Sequence, residues 1–169
     1  MELPKRKNIR LKDYDYSQNG AYFVTICAKD MRNLFGKVVV GEIHESPVMQ
    51  CNGYGAIISE HIEKLPTRYP GTSVDVFCVM PNHLHMIISL HDQRAIRESP
   101  LQRSVISQMI GYLKSNTTKK IRELTPNIEL WQRGYHDYII RNQKDYLRIR
   151  QYLQTNPAKL ESDRYFHKD

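Results

Sequence analysis

Cysteine is scarce in this chain. Cys27, Cys51 and Cys78 stand far apart, with no Cys-x-x-Cys pair among them. That argues against a disulfide framework and a zinc ribbon, and it suits a reducing compartment. Long apolar runs are missing too, none approaching the ~20 residues that cross a bilayer. The opening Met1-Glu2-Leu3-Pro4-Lys5-Arg6-Lys7 lacks the apolar core of a signal peptide. A cytoplasmic location and no membrane partner are therefore expected. There is no Gly-x-x-x-x-Gly-Lys loop to cradle nucleotide phosphates, no internal repeat and no low-complexity segment.

Negative charge is in the minority. The chain has 18 acidic residues against 25 Lys and Arg, a formal net charge of +7. This excess suits a polyanionic partner, nucleic acid before anionic membrane, although an inert basic surface would give the same count. At 169 residues the chain reads as one domain able to bury a core. Within it we expect a basic arm over 1–19, a tyrosine-bearing helix over 144–157 and a tail over 158–169. The arm carries Lys5, Arg6, Lys7 and Arg10, which would either lie along phosphates or simply be solvated.

Residues 21–28, rich in aromatic and β-branched side chains, predict a strand. Residues 37–43 are expected to pair back on it as a hairpin. Asn52 is a plausible N-cap for a helix running to about Leu65, with Pro66 ending it. Strands at 72–80 and 83–90 flank a Pro81-Asn82 turn, and 91–100 is a polar loop. A helix over about 101–124 has Val105, Ile106, Met109, Ile110, Leu113, Thr117 and Ile121 as its core stripe. Its other face bears Lys114 and Lys119, as phosphate contacts or as plain solvated charge. Residues 131–141 end as a strand, and 145–155 form a last helix. Pro157 should place Asn156 at that helix's frayed end. The order predicts an α+β ferredoxin-like sandwich with an antiparallel sheet of about five strands. Its helices lie on one face, and a C-terminal helix is added.

The most informative stretch is Pro81-Asn82-His83-Leu84-His85-Met86-Ile87-Ile88-Ser89-Leu90. Side chains alternate along a strand, so His83 and His85 share one face while Leu84, Met86, Ile88 and Leu90 share the other. Paired imidazoles could begin a divalent-metal site or be ordinary surface residues. On the last helix, Arg148, Tyr152 and Asn156 fall at i, i+4 and i+8. Tyr146, Ile149 and Leu153 form a neighbouring apolar stripe able to dock it. Tyr152 would meet the histidines if this helix crosses their face, and otherwise is a boundary residue.

Phe77-Cys78-Val79-Met80-Pro81-Asn82-His83-Leu84-His85 resembles the His-hydrophobic-His motif of the HUH endonucleases. The wording is typical of the single-tyrosine transposases of bacterial insertion sequences. Tyr152-Leu153-Gln154-Thr155-Asn156-Pro157 is similar to the catalytic helix of that family's REP-associated branch. Trp131-Gln132-Arg133-Gly134-Tyr135 and Ile140-Arg141-Asn142 look like its penultimate strand. Insertion-sequence relatives often carry Gln where this chain has Asn156, which favours the REP-associated branch. The resemblance implies Tyr152 as nucleophile and His83, His85 and Asn156 as ligands of Mg²⁺ or Mn²⁺. It further implies cleavage and rejoining of single-stranded DNA beside hairpins, through a 5′-phosphotyrosine intermediate. Arg141 and Arg148 join the lysines and the arm as candidate DNA contacts. Lys144, Arg148 and His136 are candidates to handle the phenol proton. Monomer and homodimer are both open. The competing reading is a domesticated hairpin-binding protein that no longer cuts; a relaxase or replication initiator fits the compact length less well.

Overall fold

A computed structural model describes residues 18–40, 46–91 and 104–158. The arm residues Lys5, Arg6, Lys7 and Arg10, nearly all of the 91–100 loop and the tail from 159 lie outside the described residues.

The elements are, in order, β1 (Gly20–Cys27), β2 (Gly36–Val39), β3 (Val48–Cys51), α1 (Gly53–Glu63), α2 (Leu65–Arg68), β4 (Thr72–Val79), β5 (His83–Leu90), α3 (Val105–Leu124), β6 (His136–Ile140) and α4 (Gln143–Thr155). The main sheet has four strands in the order β4-β5-β1-β6, and every pairing in it is antiparallel. Taking β1, α1, β4, β5, α3 and β6 alone gives the ferredoxin-like split βαβ.

The expected hairpin from β1 to residues 37–43 does not form. β1 is bonded along both edges, to β5 and to β6, and has no free edge to offer. β2 instead pairs with β3 in a separate two-stranded sheet, Gly36 opposite Cys51. Among the described residues the main sheet thus has four strands, where about five were expected. Gly36 is required there: its φ is +142°, and a Cβ would lie 2.2 Å from the Gln50 carbonyl oxygen.

One side of the sheet presents Tyr22, Val24, Ile26, Leu84, Met86 and Ile88 to α1 and α3, and all six are fully buried. The predicted stripe of α3, from Val105 to Ile121, is the buried face of that helix. Asn52 caps α1 as expected, its side chain accepting from the Tyr54 and Gly55 amides. Pro66 does not close that helix. α1 stops at Glu63, and Pro66 occupies the first turn of α2, where a missing N–H leaves no bond unmade.

The other side of the sheet is covered by α4. Ile149 and Leu153 pack with Ile87 and Ile140, with Phe23, Val76, Tyr146 and Tyr152 around them. Burying two such aliphatic side chains is worth about 1.5–3 kcal/mol each and docks the helix. Asn142 caps it, its Oδ1 accepting from the Asp145 amide at 2.9 Å. Asn156 is not frayed. It keeps helical angles (φ −58°, ψ −43°) and is wholly buried, because the docked end of the helix holds the backbone that Pro157 would otherwise loosen.

Candidate active site

Strand parity builds the site. β1 pairs with β5 so that Thr25 stands opposite His85 and Cys27 opposite His83. Directly opposed residues share a face, so Phe23, Thr25, His83, His85 and Ile87 all look toward α4. β4 keeps this parity only through an irregularity. Val74 pairs with Ile88 and Val76 with Ile87, leaving Asp75 as the extra residue of a bulge. Asp75 and Val76 consequently both serve the α4 side.

Both histidines are fully buried, with ring centroids 4.5 Å apart. His83 Nδ1 is 2.7 Å from Asn82 Oδ1. An amide oxygen only accepts, so Nδ1 carries the proton and the Nε2 lone pair is left for a ligand role. His85 Nδ1 is 2.8 Å from Thr25 Oγ1, which fixes the ring plane. The Tyr152 hydroxyl reaches His85 Nε2 at 3.4 Å. Phe23 wedges the pair, 5.1 Å from the His85 ring and 6.3 Å, edge-on, from that of Tyr152.

Asn156 lies one turn beyond Tyr152 on the same helix. Its Oδ1 and Nδ2 are both buried, and neither has a hydrogen-bond partner. An orphaned buried amide costs about 1–3 kcal/mol and calls for a reason. Among the described residues no group of three His, Cys, Asp or Glu side chains could hold a metal ion. Two imidazoles and an amide oxygen make a different donor set, and one suited to a hard or borderline divalent cation.

The structure thus brings Tyr152 to His85, sets His83 beside it, and buries Asn156 on the same helix. The other candidates are dispersed. Arg148 is exposed and paired with Asp145 at 2.6 Å, so the stripe of Arg148, Tyr152 and Asn156 splits between solvent and interior. Hydrogen bonds from Arg148, then Tyr138, hold the Asp145 carboxyl below its usual range. Arg141 and Lys144 are exposed at the start of α4. His136 opens β6 directly opposite Thr25, on the histidine face. Lys119 is exposed on α3, across the sheet from the histidines. Lys114, also on α3, donates to the carbonyls of Gln132 (2.5 Å) and Gly134 (2.9 Å). Burial lowers its pKa.

Sequence reasoning missed Thr25, Phe23 and Asp75 as parts of this site. Thr25 and Phe23 become visible only once β1 is known to lie beside β5. Asn82 was legible as a turn residue, and the adjacency Asn82-His83 was the available hint of its second role.

The family model described as "Transposase IS200 like" matches residues 17–156. A Haemophilus influenzae protein of uncharacterized function is 35% identical over 173 residues, covering 95% of this chain and 93% of its own. Another protein of that organism, named as a candidate REP-associated tyrosine transposase, is 26% identical and covers 86% of this chain and 74% of its own. The solved structure of a REP-associated tyrosine transposase bound to a REP hairpin shares the fold, with a TM-score of 0.57 at 21% identity, covering 89% of this chain and 74% of that one. The REP-associated branch, expected from Asn156, is where these named relatives fall. A match over that span, ending at the asparagine of the tyrosine helix, places the chain in the IS200-like transposase family.

Proposed function

We propose that this protein cleaves and rejoins single-stranded DNA beside hairpins, with Tyr152 as nucleophile, in transposition or in the processing of REP-type elements. The observation that carries the reading is the contact between the Tyr152 hydroxyl and His85 Nε2 at 3.4 Å, with the buried, unpartnered amide of Asn156 one turn further along the same helix. A boundary tyrosine with its hydroxyl in water would need neither neighbour.

His83, His85 and Asn156 are the residues that would hold a divalent ion, Mg²⁺ or Mn²⁺. Such an ion, when bound, supplies Lewis-acid stabilisation of the charge that builds on a phosphodiester under attack. The chain's own groups do the rest. Phe23 and the docked α4 hold the Tyr152 ring in place. Its oxygen attacks phosphorus, a tyrosyl–phosphate bond forms and the bond to the 3′ oxygen breaks. The phenol gives up its proton and the departing 3′ oxygen takes one. The phosphotyrosine conserves the energy of the broken diester, so rejoining by a 3′-hydroxyl needs no nucleotide hydrolysis. The DNA partner is a hairpin with an adjoining single strand, in line with the REP hairpin seen on the structural relative. Tyrosine and histidines meet within one chain, which supports action as a monomer.

The test is a labelled hairpin oligonucleotide with a single-stranded tail, incubated with Mn²⁺ and then denatured. A covalent adduct should survive denaturation in wild type and vanish in Tyr152→Phe. Tight hairpin binding without any adduct would instead support a domesticated binding protein.

A further inference from the structure

One nitrogen in this site has two claimants. His85 Nδ1 is engaged by Thr25 Oγ1 at 2.8 Å, so Nε2 is the atom this ring can offer a cation. The Tyr152 hydroxyl lies 3.4 Å from that same atom. A neutral imidazole has a single in-plane lone pair. It can accept the phenol hydrogen or bind a cation, but not both. The other tautomer leads to the same end, since an Nε2–H donating to the phenol oxygen cannot bind a cation either.

The phenol is held there without being clamped. Its ring meets that of His85 at 5.6 Å, tilted by 57°, and that of Phe23 edge-on at 6.3 Å. Tyr152 is half-buried, whereas Ile149, Leu153 and Asn156 on the same helix are buried. Ile149 and Leu153 dock α4 on Ile87 and Ile140, so the tyrosine can change rotamer while the helix stays in place. At 3.4 Å its bond to His85 is longer than the usual range of about 2.7–3.2 Å, and correspondingly weak.

We propose that Tyr152 is parked on His85 as a built-in cap of the ligand nitrogen, so that uptake of a divalent cation and release of the nucleophile are one event. This rests on the reading of His83, His85 and Asn156 as cation ligands. A phenol that yields Nε2 keeps its hydrogen, stays one turn before Asn156 and is able to swing toward a phosphodiester. The coupling is reciprocal: the cap weakens cation binding by the same factor by which the cation weakens the cap.

Calorimetric titration with Mn²⁺, in the absence of DNA, compares wild type with Tyr152→Phe, which removes only the capping hydroxyl. The variant should bind Mn²⁺ more tightly, by roughly threefold for one weak hydrogen bond. Mn²⁺ should also raise its melting temperature by more than that of wild type. A purely structural role for Tyr152 predicts the opposite sign, because a loosened helix would carry Asn156 out of place. A second arm labels the protein with 3-fluorotyrosine. Among the 11 tyrosines, the fluorine resonance missing from Tyr152→Phe should move as Mg²⁺ saturates the protein and should stay still in His85→Ala.

Equal or weaker Mn²⁺ binding by the variant, or a Tyr152 resonance indifferent to Mg²⁺, would overturn the cap. Failure of both proteins to bind Mn²⁺ would remove the cap and the cation ligands together. The adduct assay separates cap from cleavage. An adduct with equal Mn²⁺ affinities leaves cleavage standing and sinks the cap; tighter binding by Tyr152→Phe with no adduct from wild type does the reverse.

Discussion

Tyr146 donates its hydroxyl to Asp75 Oδ2 at 3.0 Å, tying the tyrosine helix to the bulge of β4. The same carboxylate accepts from Ser89 at 2.5 Å through Oδ2 and from Ser73 at 2.5 Å through Oδ1. Tyr146 lies six positions before Tyr152, so this bond and the Ile149–Leu153 packing hold the helix over the histidines. Tyr146→Phe should cost about 1 kcal/mol, and Asp75→Ala, which removes the shared acceptor of three hydroxyls, about 2–3 kcal/mol. Urea unfolding midpoints check both. If the bond also places the nucleophile, adduct formation by Tyr146→Phe will slow at saturating DNA while DNA affinity holds.

The orphaned amide gives a prediction of unusual sign. Asn156→Leu replaces buried polar atoms that lack partners with apolar ones of similar length. In chelator the variant should be more stable than wild type by about 1–3 kcal/mol. Mn²⁺ should raise the melting temperature of wild type and not that of the variant. A variant less stable in chelator would mean that the amide is satisfied in solution.

Thr25→Val removes the partner of His85 Nδ1 while keeping the shape of the side chain. Loss of such an orienting bond typically weakens metal binding 10–100-fold. Calorimetric titration with Mn²⁺ reads this without DNA, and an unchanged affinity would show that Phe23 alone fixes the ring.

Acid should loosen the start of α4. The Asp145 carboxyl is held low in the folded protein by Arg148 and then by Tyr138. A depressed carboxyl contributes stability above its unfolded value, near ~3.9, and loses it as pH falls through the folded value. The stability gap between wild type and Asp145→Asn should therefore be constant near neutrality and close in acid. Thermal unfolding from pH 7 to pH 3 would show it, and a gap that widens in acid would reverse the assignment.

Much of the framework could be read from residue pattern because single elements carry their own evidence. The stripe from Val105 to Ile121 repeats with helical period, and Leu84, Met86, Ile88 and Leu90 alternate against His83 and His85. Pairing was harder. The partner of β2 is Val48–Cys51, four residues with no alternation to announce them, and β1 gave no sign of being occupied on both edges. The bulge at Asp75 was hidden for a related reason: it breaks the periodicity on which strand reading depends. Tyr152 and the histidines were found through motif. Thr25 needed the register of two strands, which no local pattern encodes.

The docking of α4 over its own chain's sheet has a kinetic corollary. If Tyr152 is the nucleophile, as proposed, it shares one polypeptide with the imidazoles, and the rate of strand scission should be first order in enzyme, with no threshold on dilution. Two inactive forms, Tyr152→Phe and His85→Ala, should stay inactive when mixed. Restored turnover in that mixture would mean that the helix travels between molecules.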